Sequence, residues 1–283
     1  MDFSTALELL DLCENKNISD VMIEREILIS GLTKEEILSK MAHCLEIMKT
    51  SGSYALDKSL ETLGGLISGE SKELNRKLEL SAVSDTTKDA IAIALSVLEV
   101  NASMGVIVAA PTAGSSGVLP AGILSIAKKY NFSDDKLVMA LFNAAAIGYI
   151  VTRNATVSGA EGGCQAEIGT ASAMTASAVT ELLGGSPKDC LSAASTALAN
   201  LLGLVCDPIG GLVEAPCSKR NSLGATNALI CAEMSLCGLS HLIPFDEMVD
   251  VMYSVGKSIP ETLRETALGG MAKAPTACSL CKF

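Results

Sequence analysis

Three stretches broken by glycine and proline gather the residue types that do chemistry. In residues 154–167, NATVSGAEGGCQAE, Cys164 follows two glycines and opens a helix. A helix N-terminus favours a thiolate, and glycines let a bulky group approach. Glu161 stands three residues before Cys164, either as a solvated carboxylate or as an acid–base group. Residues 204–217, LVCDPIGGLVEAPC, set Cys206 and Cys217, each near a proline, on either side of a Gly-Gly turn. Proline and glycine prevent one continuous helix there, so both thiols can fold back towards one point, with Cys164 as a third. Residues 110–120, APTAGSSGVLP, run small hydroxyl residues and glycines into a helix start near Val118. Free backbone N–H groups at such a start suit an anion. The spacing and lysine of a nucleotide P-loop are missing, so the reading is a small carboxylate or an ordinary turn. The candidate substrate-binding set is Thr112, Ser115, Ser116, Gly117, Asn154 and Ser158.

The elements that must carry these loops are helical. Hydrophobic residues make up 49% of the 283 positions and aromatics 3%, so the core is built from Ala, Leu, Ile, Val and Met. Such chains favour close-packed helices, and no run of alternating strands is found. The expected fold is all-α: a compact multi-helix domain whose Gly/Pro-rich loops carry the cysteines. One domain is expected over 1–283, with a more charged helical part to about 75 and an Ala/Gly-rich bundle from about 76. Thr33–Glu36 forms a capping box for a helix to about Met48. Ser84 and Ser133 open long apolar segments, and Ser186-Pro187 starts a helix with proline at its first position. Helices are also expected from Asn221 to Leu236 and from Phe245 to Val255. The Gly/Ser-rich stretch 51–71 reads as a flexible junction.

Net charge is −11 and no basic stripe is present, so nucleic acid is not an expected partner. The N-terminus lacks the pattern of a secretory signal, and the apolar run 106–127 is interrupted by prolines and serines, so no membrane role is expected. Ten cysteines then point to a reducing cytoplasm and to metal or catalysis rather than disulfides. Cys13, Cys44, Cys190, Cys231 and Cys237 lie in apolar helical patterns and are assigned to the core. His43 and His241, the only histidines, sit in ordinary helical or cap settings.

The motifs APTAGSSGVLPAG (110–122), SGAEGGCQAEIG (158–169), LGLVCDPIGGLVEAPCSKRN (202–221) and ETALGGMA (265–272) resemble the α component of the iron–sulfur-dependent L-serine dehydratases. The resemblance implies a [4Fe–4S] cluster on Cys164, Cys206 and Cys217, with one iron lacking a thiolate. It also implies loss of water from L-serine to give pyruvate and ammonia, and a separate β subunit completing a heterodimer. Glu161 is one candidate base, the β subunit another source. Cys278 matches a tail cysteine that caps the open iron in some members; here the chain continues through Cys281 to Phe283, and a free tail is the alternative. Rival readings are a related cluster enzyme releasing sulfide from L-cysteine and a structural zinc protein using a tail cysteine. A pyridoxal-phosphate dehydratase is disfavoured, since no Ser-x-Lys-x-Asn/Arg motif occurs.

Overall fold

The computed structural model describes residues 2–76 and 81–280. Its helices are α1 (Ala6–Leu12), α2 (Ile18–Ser30), α3 (Lys34–Tyr54), α4 (Glu70–Asn75), α5 (Asp85–Ala102), α6 (Val118–Tyr130), α7 (Asp134–Asn154), α8 (Gly159–Gly162), α9 (Thr170–Leu182), α10 (Pro187–Asn200), α11 (Cys217–Leu236), α12 (Phe245–Ser258) and α13 (Pro275–Leu280). Among the described residues there is no β-ladder, only a single bridge between Cys206 and Arg264, so the all-α expectation holds.

Local chemistry sets the helix starts. The side chains of Thr5, Thr33 and Ser186 accept the N–H three residues on, and Glu8, Glu36 and Asp189 answer in capping boxes. Each such cap contributes about 1 kcal/mol. Three carboxylates cap helices at a distance. Asp246 accepts the Ala6 and Leu7 amides, Glu181 accepts that of Ile18 at 3.0 Å, and Glu99 accepts those of Gly69 and Ser71 at 2.9 Å. A buried carboxylate satisfying the free N–H groups of a helix start is favoured by the helix dipole as well.

Helix α9 is the centre. From Thr170 to Thr180 every residue is buried, and α6, α7, α10 and α11 pack around it. Small residues allow that crowding: a methyl at Gly122 of α6 would overlap the Thr175 side chain. Two of the α9 hydroxyls find partners, Thr175 Oγ1 on the Ala171 carbonyl at 2.7 Å and Ser177 on Asn143 at 2.6 Å, which offsets the cost of burying them. One apolar cluster runs from Phe3 through α2, α7, α9 and α10 to Met252. Helix α7 is the one helix among the described residues long and apolar enough to span a membrane, and 67% of its apolar window is buried in this core.

The structure revises several boundaries. Helix α3 continues to Tyr54, through the start of the expected junction. The rest of that stretch is tied down: Glu214, 2% exposed, accepts the amides of Gly64 at 2.5 Å and Leu66 at 2.8 Å and the Thr62 hydroxyl at 3.1 Å. Helix α11 starts at Cys217, a turn before the expected Asn221. Cys237, assigned to the core, caps the end of α11 and is exposed, while Cys13, Cys190 and Cys231 are buried.

Candidate functional site

The three broken stretches meet beside the N-terminal end of α9. Gly163, at φ +76° where only glycine is comfortable, turns the chain out of α8. Cys164 follows and leads into a single π-helical turn, Gln165–Gly169, that continues into α9. The expected helix start is therefore a π-turn, a widening common at functional sites. Gln165 fixes it: its amide N–H bonds the Leu204 carbonyl, its side-chain oxygen accepts the Gly203 N–H, and its side-chain nitrogen donates to the Met252 carbonyl.

Cys206 is clamped by the C-terminal segment. Its N–H donates to the Leu263 carbonyl at 2.8 Å and its carbonyl accepts the Glu265 N–H at 2.7 Å. Glu265 holds φ +63° to do so, a strain worth tolerating where it fixes a site. The next residue, Asp207, accepts the Met271 N–H at 2.7 Å and pairs with Arg220 at 2.8 Å. The ETALGGMA motif thus has a physical role: it grips the Cys206 backbone and the Asp207 carboxylate from outside. Cys217 begins α11. Asn221, one turn on, donates to the carbonyls of Cys217 and Gly114 and accepts the Gly117 N–H, which staples the hydroxyl loop to the cysteine helix.

The three thiols share one buried region. Cys164 and Cys206 belong to one apolar cluster. Each thiol feels another: Cys217 acts on Cys164, Cys164 on Cys206 and Cys206 on Cys217. Burial pushes Cys164 and Cys217 up to about 12 and Cys206 higher still. Glu167 adds to all three shifts and Arg220 opposes them. Thiols in such a place hold their protons until a metal replaces them. Among the described residues no three His, Cys, Asp or Glu side chains meet closely enough to hold one metal ion. A polynuclear centre does not demand that, because each thiolate binds its own metal atom. All-thiolate donors of this kind select zinc, copper(I) or iron–sulfur centres.

Glu167 is the acid the sequence reading missed. It accepts the Thr112 hydroxyl at 2.7 Å, and burial raises its pKa, with Glu265 adding to the rise. A methyl placed on Gly159 would lie 2.6 Å from the Glu167 carboxylate and 3.0 Å from the Cys206 sulfur. Gly159 therefore keeps a gap between acid and thiol. Glu161 lies on the exposed side of α8, where its carbonyl takes the Arg264 guanidinium at 3.2 Å. The signal for Glu167 was present, since it falls one turn after Cys164 on the same helical run.

The remaining expected substrate residues divide. Thr112 and Ser115 bond one another at 3.1 Å beside Glu167. Ser116 is buried and donates to the Ala113 carbonyl, and the Gly117 N–H is already taken by Asn221. Ser158 leads into α8 next to Gly159. Asn154 ends α7 and donates to the Ser4 and Ile150 carbonyls, turned to the N-terminal segment rather than to the thiols. Cys278 is exposed on α13, its sulfur 3.8 Å from the Ala272 carbonyl, and α13 packs on the 209–211 turn between Cys206 and Cys217. Cys281 lies outside the described residues. His43 is exposed, and His241 lies far along the chain near Ser192.

The sequence model of the family described as serine dehydratase alpha chain matches residues 13–272. The chain belongs to the serine dehydratase alpha chain family. It is 43% identical to a probable L-serine dehydratase, alpha chain, of Bacillus subtilis (strain 168), over 99% of this chain and 94% of that one. It is 46% identical to the L-serine dehydratase, alpha chain, of Peptoniphilus asaccharolyticus, over 96% and 95%. With an L-serine dehydratase of Helicobacter pylori (strain J99 / ATCC 700824) it shares 37% identity over 96% of this chain but only 62% of the relative. The family's relatives thus include chains of this length and longer ones that carry additional sequence.

Proposed function

We propose that this chain is the catalytic α component of a cytoplasmic L-serine dehydratase, removing water from L-serine to give pyruvate and ammonia. The cofactor is a [4Fe–4S] cluster held by Cys164, Cys206 and Cys217. The observation that carries the reading is the gathering of two buried thiols, Cys164 and Cys206, and the half-buried Cys217 with a hydroxyl loop and the half-buried Glu167. The relatives named alpha chains support a separate β subunit as partner, and the longer relatives support the same parts on one polypeptide. Once bound, such a cluster supplies a Lewis acid at the iron without a protein thiolate, the open position expected of catalytic metal sites.

The chain's own residues do the rest. Thr112, held by Ser115, gives its hydroxyl proton to Glu167; a substrate carboxylate at the loop leading into α6 would take that donor over from Glu167. Glu167, hydrogen-bonded to Thr112, is placed to hold or pass a proton at its carboxylate beside Cys206, a role its burial suits. The role first considered for Glu161 passes to Glu167 because only the latter faces the thiols. Apolar packing around Cys164 and Cys206 excludes water, which strengthens every charge interaction there. The elimination yields aminoacrylate and water, and aminoacrylate then tautomerises and hydrolyses to pyruvate and ammonia, which balances the atoms.

The test is turnover of L-serine and of L-cysteine by anaerobically prepared protein, with and without the β subunit. Pyruvate from serine that depends on β supports the reading. Sulfide release from L-cysteine as the faster reaction assigns the chain to the desulfidase reading instead.

A further inference from the structure

Arg220 bridges the segments that carry Cys217 and Cys206. It lies on α11, three residues after Cys217. One guanidinium nitrogen donates to the Val205 carbonyl at 2.7 Å, just before Cys206. Another pairs with Asp207, just after Cys206, at 2.8 Å, with the two side chains 12% and 4% exposed. The Cys164 segment joins the same frame through the Gln165 N–H, which donates to the Leu204 carbonyl at 2.9 Å, one residue before Val205. Arginine suits this place because its planar fork serves several acceptors in fixed directions, whereas lysine is a point charge on a flexible stem. Asp207 in turn is fixed by the Met271 N–H, so the C-terminal segment, the arginine and the three cysteines form one connected frame.

We propose that Arg220 is the positioning residue of the three-cysteine site: its guanidinium holds the Cys206 segment against the Cys217 helix, with the Cys164 segment tied to both through Leu204, and offsets the negative charge of the thiolates. This assignment rests on the cluster reading above. It has two consequences. Loss of the fork loosens the ligands and speeds metal loss, since outer partners of metal ligands govern about 10- to 100-fold in affinity. Loss of the charge lowers the reduction potential, which net charge and hydrogen bonds to sulfur set.

The experiment compares the full chain with Arg220→Lys and Arg220→Gln after anaerobic reconstitution with iron and sulfide. Its readouts are iron and sulfide per chain, decay of visible absorbance under excess iron chelator, the potential by reductive titration followed by electron paramagnetic resonance, and helicity by circular dichroism. R220K, which keeps the charge and the fold, is expected to load but to lose iron about 10- to 100-fold faster than the parent. R220Q is expected to lose iron at least as fast and to titrate at lower potential. A role in tethering α11 alone would shift melting and leave the potential where it was. Should R220Q fail to fold, R220K carries the test. Parental iron retention in R220K, or an unmoved potential in a folded R220Q, overturns the assignment while leaving the cluster reading intact. A parent chain that takes up neither iron nor sulfide overturns both.

Discussion

Adding one methyl group at Gly159 tests whether acid and thiol work as a unit. Gly159 opens α8 with an ordinary helical backbone, so alanine there is not strained and even favours the helix by about 0.5–1 kcal/mol. The new Cβ would stand 2.6 Å from a Glu167 carboxylate oxygen and 3.0 Å from the Cys206 sulfur. Ordinary contact begins at 3.4 Å, so the carboxylate must retreat by about 0.8 Å and the sulfur by about 0.4 Å. Overpacking of this size costs about 1–3 kcal/mol, partly offset by the helix gain, so the melting temperature falls by a few degrees at most. Catalysis is far more sensitive, because a displacement near 1 Å costs about 100-fold in rate. Gly169→Ala is the control, since its Cβ meets only ordinary contacts, with Leu198 at 3.6 Å and Leu201 at 3.9 Å. The assay is pyruvate formation from L-serine with the β subunit present, alongside thermal melts. Gly159→Ala is expected to lose about 100-fold in kcat while melting no more than a few degrees below Gly169→Ala. A folded Gly159→Ala with more than half the parental turnover refutes the idea that Glu167 and Cys206 must keep their spacing.

Other outcomes follow from the same geometry. Replacing Cys164, Cys206 or Cys217 by Ala is expected to remove both the brown absorbance and turnover, whereas Cys190→Ala, in the apolar core, keeps the absorbance; spectra of anaerobic samples decide. Asp207→Ala leaves Arg220 buried without its counter-charge and frees the Met271 N–H, so stability falls by about 3–5 kcal/mol, read by urea unfolding. Burial raises the pKa of Glu181 above its ordinary 4.5, so the folded chain holds that proton more tightly than the unfolded one. Its contribution is therefore full below pH 4.5 and is lost as pH rises through the folded value. Glu181→Gln should gain stability relative to the parent across that window, and a pH-independent difference in unfolding free energy would contradict this. Oxygen should abolish activity and bleach the absorbance together, and activity that survives aeration counts against an exposed iron.

Much of the fold was legible because its signals are local. Thr33 with Glu36 and Ser186 with Asp189 announce their helices by spacing alone, and both capping boxes form. The start of α11 was harder to see, because Pro216 precedes Cys217 without any side chain that caps it. The cysteines could be picked out by their glycine and proline neighbours. What orders them could not: Arg220, Asp207, Gln165 and Asn221 act across long stretches of chain, and no periodicity reveals a contact such as Asn221 with Gly114. Asn154 and Glu161 were grouped with the site by nearness in sequence. One turns to Ser4 and the other to solvent, because Asn154 ends the preceding helix α7 and Gly163, at φ +76°, breaks the chain direction between Glu161 and Cys164. Glu167 could have been found, since it follows Cys164 by one turn on an unbroken helical run.

The most direct measurement is the iron and acid-labile sulfide content of the anaerobically purified chain. The account predicts about four of each per chain, lost together when any of Cys164, Cys206 or Cys217 is changed. One zinc per chain with no sulfide would contradict it.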